Sequence, residues 1–107
     1  EIPAGTLESG ESPYECAVRE LEEETGYKPS KLTKLFEMYM APGYSTENLH
    51  SFVALDLQLG VFKPRRGEEI ELVRKPLLEV IRMIKANKIR DAKTIATILH
   101  YVRFNAS

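Results

Sequence analysis

Between residues 5 and 27 the chain reads GTLESGESPYECAVRELEEETGY, a glycine-bearing loop that feeds a helix with legible limits. Ser12 is a good N-cap, Pro13 suits the first helical position, and Glu15 completes an S-x-x-E capping box. Gly26 falls where a left-handed C-terminal residue is wanted. At about 100° per residue, Tyr14, Ala17, Val18 and Leu21 share one arc, expected to face a core. Glu20, Glu23 and Glu24 share the neighbouring arc, and Glu22 points to solvent.

Such clustering carries a cost. Like charges three or four apart on a helix destabilise it by roughly 0.2–0.5 kcal/mol per pair. Arg19 can reach Glu15 or Glu23 and offset part of this, but one guanidinium cannot neutralise three converging carboxylates. A divalent cation can, and Mg²⁺ takes a few carboxylates together with water and substrate phosphate oxygens. The bland alternative is a solvated acidic face.

The spacing decides between them. Gly5-x5-Glu11-x7-Arg19-Glu20-Leu21-x-Glu23-Glu24-x-Gly26-Tyr27 resembles the Nudix box, with every constrained position filled. Most of those positions demand a single residue type of average usage below about 10%. The resemblance implies an α/β fold, an α/β/α sandwich around a mixed sheet. It also implies hydrolysis of a nucleoside diphosphate linked to another moiety, with Mg²⁺ or Mn²⁺.

Composition fits one soluble globular domain over residues 1–107: 43% of residues are hydrophobic and 29% charged. A net charge of −1 makes no electrostatic case for nucleic acid or an anionic membrane surface. One cysteine, Cys16, excludes an intrachain disulfide and suits a reducing cytoplasm. On the carboxylate side of the helix it is either a reactive thiol or a plain small side chain. No apolar run is long enough to span a bilayer, and neither a signal peptide nor a repeat is evident.

Ahead of the box stands only Glu1-Ile2-Pro3-Ala4. Nudix domains carry several strands before this point, so the resemblance implies the C-terminal part of a longer domain whose N-terminal strands are absent here. A sheet without them would expose apolar faces and open edges, and these residues alone should fold poorly.

After Gly26, Lys28-Pro29-Ser30 is expected to turn. Residues 32–40 read as a strand with Leu32, Phe36, Met38 and Met40 alternating. A loop through Pro42-Gly43 leads to a second strand over residues 49–59, with His50, Phe52, Ala54 and Asp56 on one side and Ser51, Val53, Leu55 and Leu57 on the other. His50 is a structural histidine or a ligand. Residues 62–69 are a polar loop and 70–74 a short strand. Pro76 opens a helix with Leu77, Val80, Ile81 and Ile84 inward, and Asp91 caps a last helix with Ile95, Ile98, Leu99 and Val102 inward.

Three further stretches resemble the ADP-ribose pyrophosphatase branch of the family: Ile2-Pro3-Ala4-Gly5, Ala41-Pro42-Gly43-Tyr44-Ser45-Thr46-Glu47, and Lys88-Ile89-Arg90-Asp91-Ala92-Lys93-Thr94. The resemblance implies hydrolysis of ADP-ribose or a related sugar nucleotide to AMP and ribose 5-phosphate by a cytoplasmic homodimer. It implies metal ligation by Glu20, Glu24 and the Ala4 carbonyl, with Glu23 beside a further ion or in catalysis. Glu11 is a ligand or a support to the ligands, and Arg19 orients carboxylates. The general base falls on a later loop, at Glu68 or Glu69, within hydrogen-bond reach of the attacking water. Ser45 and Glu47 are candidates for holding ribose or pyrophosphate. Arg65 and Arg66 either contact phosphate or line a solvated basic loop. Two other functions stay open, a Nudix hydrolase for a dinucleoside polyphosphate or oxidised nucleotide, and a non-catalytic ADP-ribose sensor.

Overall fold

The computed structural model describes residues 1–60 and 71–105. An N-terminal segment and loop lead into α1 (Pro13–Thr25). Two strands follow, β1 (Tyr27–Tyr39) and β2 (Asn48–Leu59), and then α2 (Leu77–Lys85) and α3 (Ala92–Phe104).

The ends of α1 form as their residues dictate. Ser12 adopts an extended conformation and its side chain accepts the Glu15 N–H at 3.1 Å, while Glu15 Oε1 accepts the Ser12 N–H at 3.1 Å. Gly26 closes the helix at φ 79°, a left-handed conformation that favours glycine. Which face is buried differs from the simple arc. Cys16 and Glu20 are the buried residues of α1, whereas Tyr14 is 52% exposed and meets Phe52 edge-on at 6.3 Å. Ala17 and Leu21 line the same cleft as Cys16 and Glu20. Glu22 does not point to open solvent: it is partly buried, close against Gly60, and pairs with Lys28 at 3.5 Å.

The β1 and β2 strands pair antiparallel from Tyr27↔Leu59 to Tyr39↔Asn48. The turn expected at residues 28–30 is not formed; β1 runs straight through Pro29, which pairs with Leu57. Proline is tolerated in a strand where the ladder does not need its missing N–H, and β1 is an edge of the described sheet. A bulge at Leu35 shifts the register, so that Lys34 faces Phe52 but Phe36 faces Ser51. One extra residue moves everything beyond it to the opposite face. Leu32 therefore does not share a face with Phe36 and Met38, as plain alternation had implied. The strand expected over residues 70–74 is also missing where it can be seen. Glu71–Arg74 form no regular element, and the Arg74 guanidinium lies 4.9 Å over the Tyr27 ring.

Helix α3 packs on β1 and α2. Its buried residues are Thr94 and Thr97, while Leu99, expected inward, is 43% exposed. The hydroxyls of Thr97 and Ser51 meet at 2.8 Å in a buried contact that ties α3 to the sheet. His100 stacks on Phe36 at 4.5 Å and leans on Phe104 at 4.8 Å. Leu77, at the start of α2, is likewise more exposed than its spacing suggested. The α/β/α layering is thus represented among the described residues by one antiparallel pair flanked by three helices. Among these residues Cys16 is the buried apolar side chain, and a cleft of about 890 Å³ opens between residues 2–7, α1, β2 and α3.

Candidate active site

The loop ahead of α1 folds back on the helix. A turn from Glu8 to Glu11, with Gly10 at φ 77°, brings the Glu11 N–H to the Glu8 carbonyl at 3.0 Å and the Glu8 N–H to Glu11 Oε1 at 3.1 Å. This aims the Glu11 carboxylate at Arg19, which grips it with Nε at 2.7 Å and Nη2 at 2.9 Å, a two-pronged charge-assisted pair. The same guanidinium donates to Glu20 Oε1 at 2.8 Å, to Glu23 Oε2 at 3.1 Å and to the Thr6 carbonyl at 3.2 Å. Arg19 thus holds three of the carboxylates that the sequence singled out, and it does so without the reach to Glu15 once expected of it.

Glu20 is the most deeply set of them, 3% exposed. Its carboxylate packs so closely on Gly5 that a Cβ there would overlap it. Glycine at the head of the motif is therefore a matter of space. Glu24 Oε2 accepts the Ala4 N–H at 2.9 Å, fastening the N-terminal segment to the helix one turn beyond Glu20. Arg19 holds the Glu11 carboxyl down at about 2, well below its ordinary value, and Glu11 in turn raises the guanidinium's pKa. Burial pushes the Cys16 thiol up, and its Sγ sits 3.8 Å from the Gly5 carbonyl and 3.7 Å from Arg19 Nη2. A raised thiol pKa favours the plain small side chain over the reactive nucleophile.

The donor set suits a hard divalent cation: carboxylate oxygens on one helix, next to a main-chain segment they hold in place. Among the described residues no three His, Cys, Asp or Glu side chains are arranged to hold an ion, and Arg19 provides positive charge among the carboxylates.

Of the remaining predicted residues, Ser45 and Glu47 lie together on the β1–β2 loop, where Ser45 Oγ accepts the Glu47 N–H at 3.0 Å. Glu47 lines the cleft that Ala4, Gly5 and Glu20 also line; Ser45 does not. Arg65, Arg66, Glu68 and Glu69 lie outside the described residues. His50 Nδ1 sits 2.9 Å from Glu37 Oε1, which also accepts from Lys34, and His50 lines the cleft that Glu20 lines. Residues that the motif did not flag also bear on the site. Thr94 of α3 accepts the Ile2 N–H at 3.1 Å, and Lys93 reaches Glu1 at 3.3 Å. The Asp91 cap was legible in the sequence; the link that Thr94 and Lys93 make to the N-terminal segment is a long-range contact that only the fold supplies.

The NUDIX domain matches residues 1–98, and the chain belongs to the NUDIX domain family. It is 41% identical over 100 residues to the ADP-ribose pyrophosphatase of Bacillus subtilis (strain 168), covering 92% of this chain and 54% of that protein. To the GDP-mannose pyrophosphatase of Yersinia enterocolitica serotype O:8 it is 42% identical over 108 residues, covering 98% and 56%. The crystal structure of an ADP compounds hydrolase superposes with a TM-score of 0.82 at 30% identity, over 92% of this chain and 53% of that one. The chain therefore has the Nudix fold and spans about half the length of the curated relatives it matches. No helix among the described residues is long and apolar enough to cross a membrane.

Proposed function

We propose that the protein carrying this chain is a divalent-metal-dependent hydrolase of nucleoside diphosphate sugars that cleaves ADP-ribose with water to AMP and ribose 5-phosphate. The observation that carries this reading is the α1 carboxylate array, braced by Arg19 and fastened through Glu24 to the Ala4 N–H. Relatives named for ADP-ribose and for GDP-mannose support the substrate class.

Glu20, Glu24 and the Ala4 carbonyl would hold Mg²⁺ or Mn²⁺, with Glu23 beside them. A divalent ion held by these residues would supply charge neutralisation of the pyrophosphate oxygens and of the departing phosphate. The chain's own residues do the positioning. Arg19 keeps Glu11, Glu20 and Glu23 turned to one side of α1, so little reorientation remains when a charged substrate arrives. Gly5 leaves room for the Glu20 carboxylate. Glu68, with Glu69 next to it, takes the proton of the attacking water. Glu47, at the rim of the cleft, and Ser45 orient the ribose, and Arg65 and Arg66 meet phosphate oxygens. The protein acts in the cytoplasm as a homodimer.

The test is a substrate panel on the full-length protein with Mg²⁺, setting wild type against Glu24→Gln and Glu68→Gln. Glu24→Gln should abolish turnover and weaken metal binding. Glu68→Gln should lower turnover with metal affinity near normal. Wild-type rates in both variants would overturn the site assignment, tight ADP-ribose binding without product would indicate a sensor, and preference for GDP-mannose would move the base specificity within the same class.

A further inference from the structure

Helix α3 takes no part in the chemistry proposed above, yet it holds the segment that does. Thr94 is 3% exposed and sits in the first turn of α3. Its hydroxyl donates to Asp91 Oδ2 at 2.6 Å, and Thr94 Oγ1 itself accepts the Ile2 N–H at 3.1 Å. A hydroxyl has one proton. With that proton committed to Asp91, the oxygen presents only lone pairs to the main chain, which is the arrangement an N–H donor requires. Asp91 is itself fixed by the Thr94 N–H at 3.1 Å and by Lys93 Nζ at 2.9 and 3.0 Å. Two residues beyond Ile2, the Ala4 N–H reaches Glu24 Oε2 at 2.9 Å. Residues 2–4 are therefore clamped from two sides, by α3 through Thr94 and by α1 through Glu24.

We infer that Thr94, oriented by Asp91, is a positioning residue that sets divalent-metal affinity by fixing residues 2–4 against Glu24. This rests on the metal site proposed for Glu20, Glu24 and the Ala4 carbonyl. Groups that orient metal ligands without touching the ion typically change affinity by about 10- to 100-fold when removed.

The experiment titrates the full-length protein with Mn²⁺ alone, followed by electron paramagnetic resonance of the free ion. Thr94→Val keeps the buried shape and removes the acceptor; it should raise the Mn²⁺ Kd about tenfold with an unchanged far-ultraviolet circular dichroism spectrum. Thr94→Ser restores the hydroxyl and should restore the wild-type Kd, a rescue that a purely packing role does not give. A wild-type Kd in Thr94→Val overturns the inference and leaves the metal site standing. Failure of the wild type to bind Mn²⁺ overturns both. A further arm needs no variant: in the wild type, Mn²⁺ should slow hydrogen exchange at the Ile2 amide as well as at Ala4. An Ile2 rate indifferent to Mn²⁺ overturns the inference, even if Thr94→Val does not fold.

Discussion

Replacing Gly5 by alanine adds one methyl group at the point where the Glu20 carboxylate rests, and the added carbon would overlap the carboxylate carbon and Oε1. The obstacle is not the loose end of an exposed chain. Glu20 is 3% exposed, and its Oε1 is the atom that accepts Arg19 Nη1 at 2.8 Å. Relief requires either the loop to lift or the carboxylate to swing off Arg19. Overpacking a closed site costs about 1–3 kcal/mol, and a hydrogen bond to a charged group contributes about 1.5–3 kcal/mol. By whichever route the clash is relieved, Gly5→Ala should thus destabilise by roughly 1–3 kcal/mol, lowering Tm by about 2 °C or more on the usual scaling of about 2–8 °C per kcal/mol. Gly10→Ala is the control. Nothing lies within reach of a Cβ there, so its cost is the backbone strain at φ 77°, roughly 1–2 kcal/mol. Differential scanning fluorimetry of the full-length protein reads both, and Mn²⁺ titration should show weaker binding for Gly5→Ala alone. Equal Tm for wild type and Gly5→Ala, or a larger loss for Gly10→Ala, would refute the steric reasoning.

Ser12→Ala removes the side-chain arm of the capping box, the acceptor of the Glu15 N–H, while the main-chain N–H to Glu15 stays, and should cost about 1 kcal/mol by chemical denaturation; a change within error would mean that this arm contributes nothing to α1. Arg19→Gln strips Glu11, Glu20 and Glu23 of a shared cation, so Tm should fall sharply at pH 7 and recover in part as the pH is lowered and the carboxylates protonate. The wild type should show the opposite trend in acid. The Glu11 carboxyl is depressed to about 2 from an ordinary 4.5, so its stabilising contact is fully present above pH 4.5 and is lost as pH falls towards 2. A stability–pH curve of the same shape in wild type and Arg19→Gln would remove Arg19 as the cause.

Much of α1 was readable because its determinants are local. Ser12, Glu15 and Gly26 act through neighbours three or four residues away, and the helix formed within the limits they set. The carboxylate spacing likewise needed only helical geometry. What escaped depended on packing. The burial of Glu20 in place of Tyr14 reflects the loop at Gly5 lying against the helix, which no periodicity encodes. The bulge at Leu35 is a one-residue slip that leaves composition untouched and reverses the strand's faces. Pro29 reads as a breaker, yet an edge position tolerates it. Thr94 and Thr97 look polar and surface-bound, but both are buried, with hydroxyl partners supplied by β2, Asp91 and Ile2. Arg19 was expected to reach Glu15 or Glu23. It meets Glu23 and Glu20 on the helix, and the turn at Glu8–Glu11 brings Glu11 and Glu8 to it from outside the helix.

The most direct test is anomalous diffraction at the manganese edge from crystals of the full-length protein soaked in Mn²⁺ with a non-hydrolysable nucleoside diphosphate sugar. The account predicts anomalous density bridging Glu20 and Glu24 beside the Ala4 carbonyl, with pyrophosphate oxygens on its open side. Density elsewhere, or Glu20 and Glu24 carrying no ion while the analogue is bound, would contradict it.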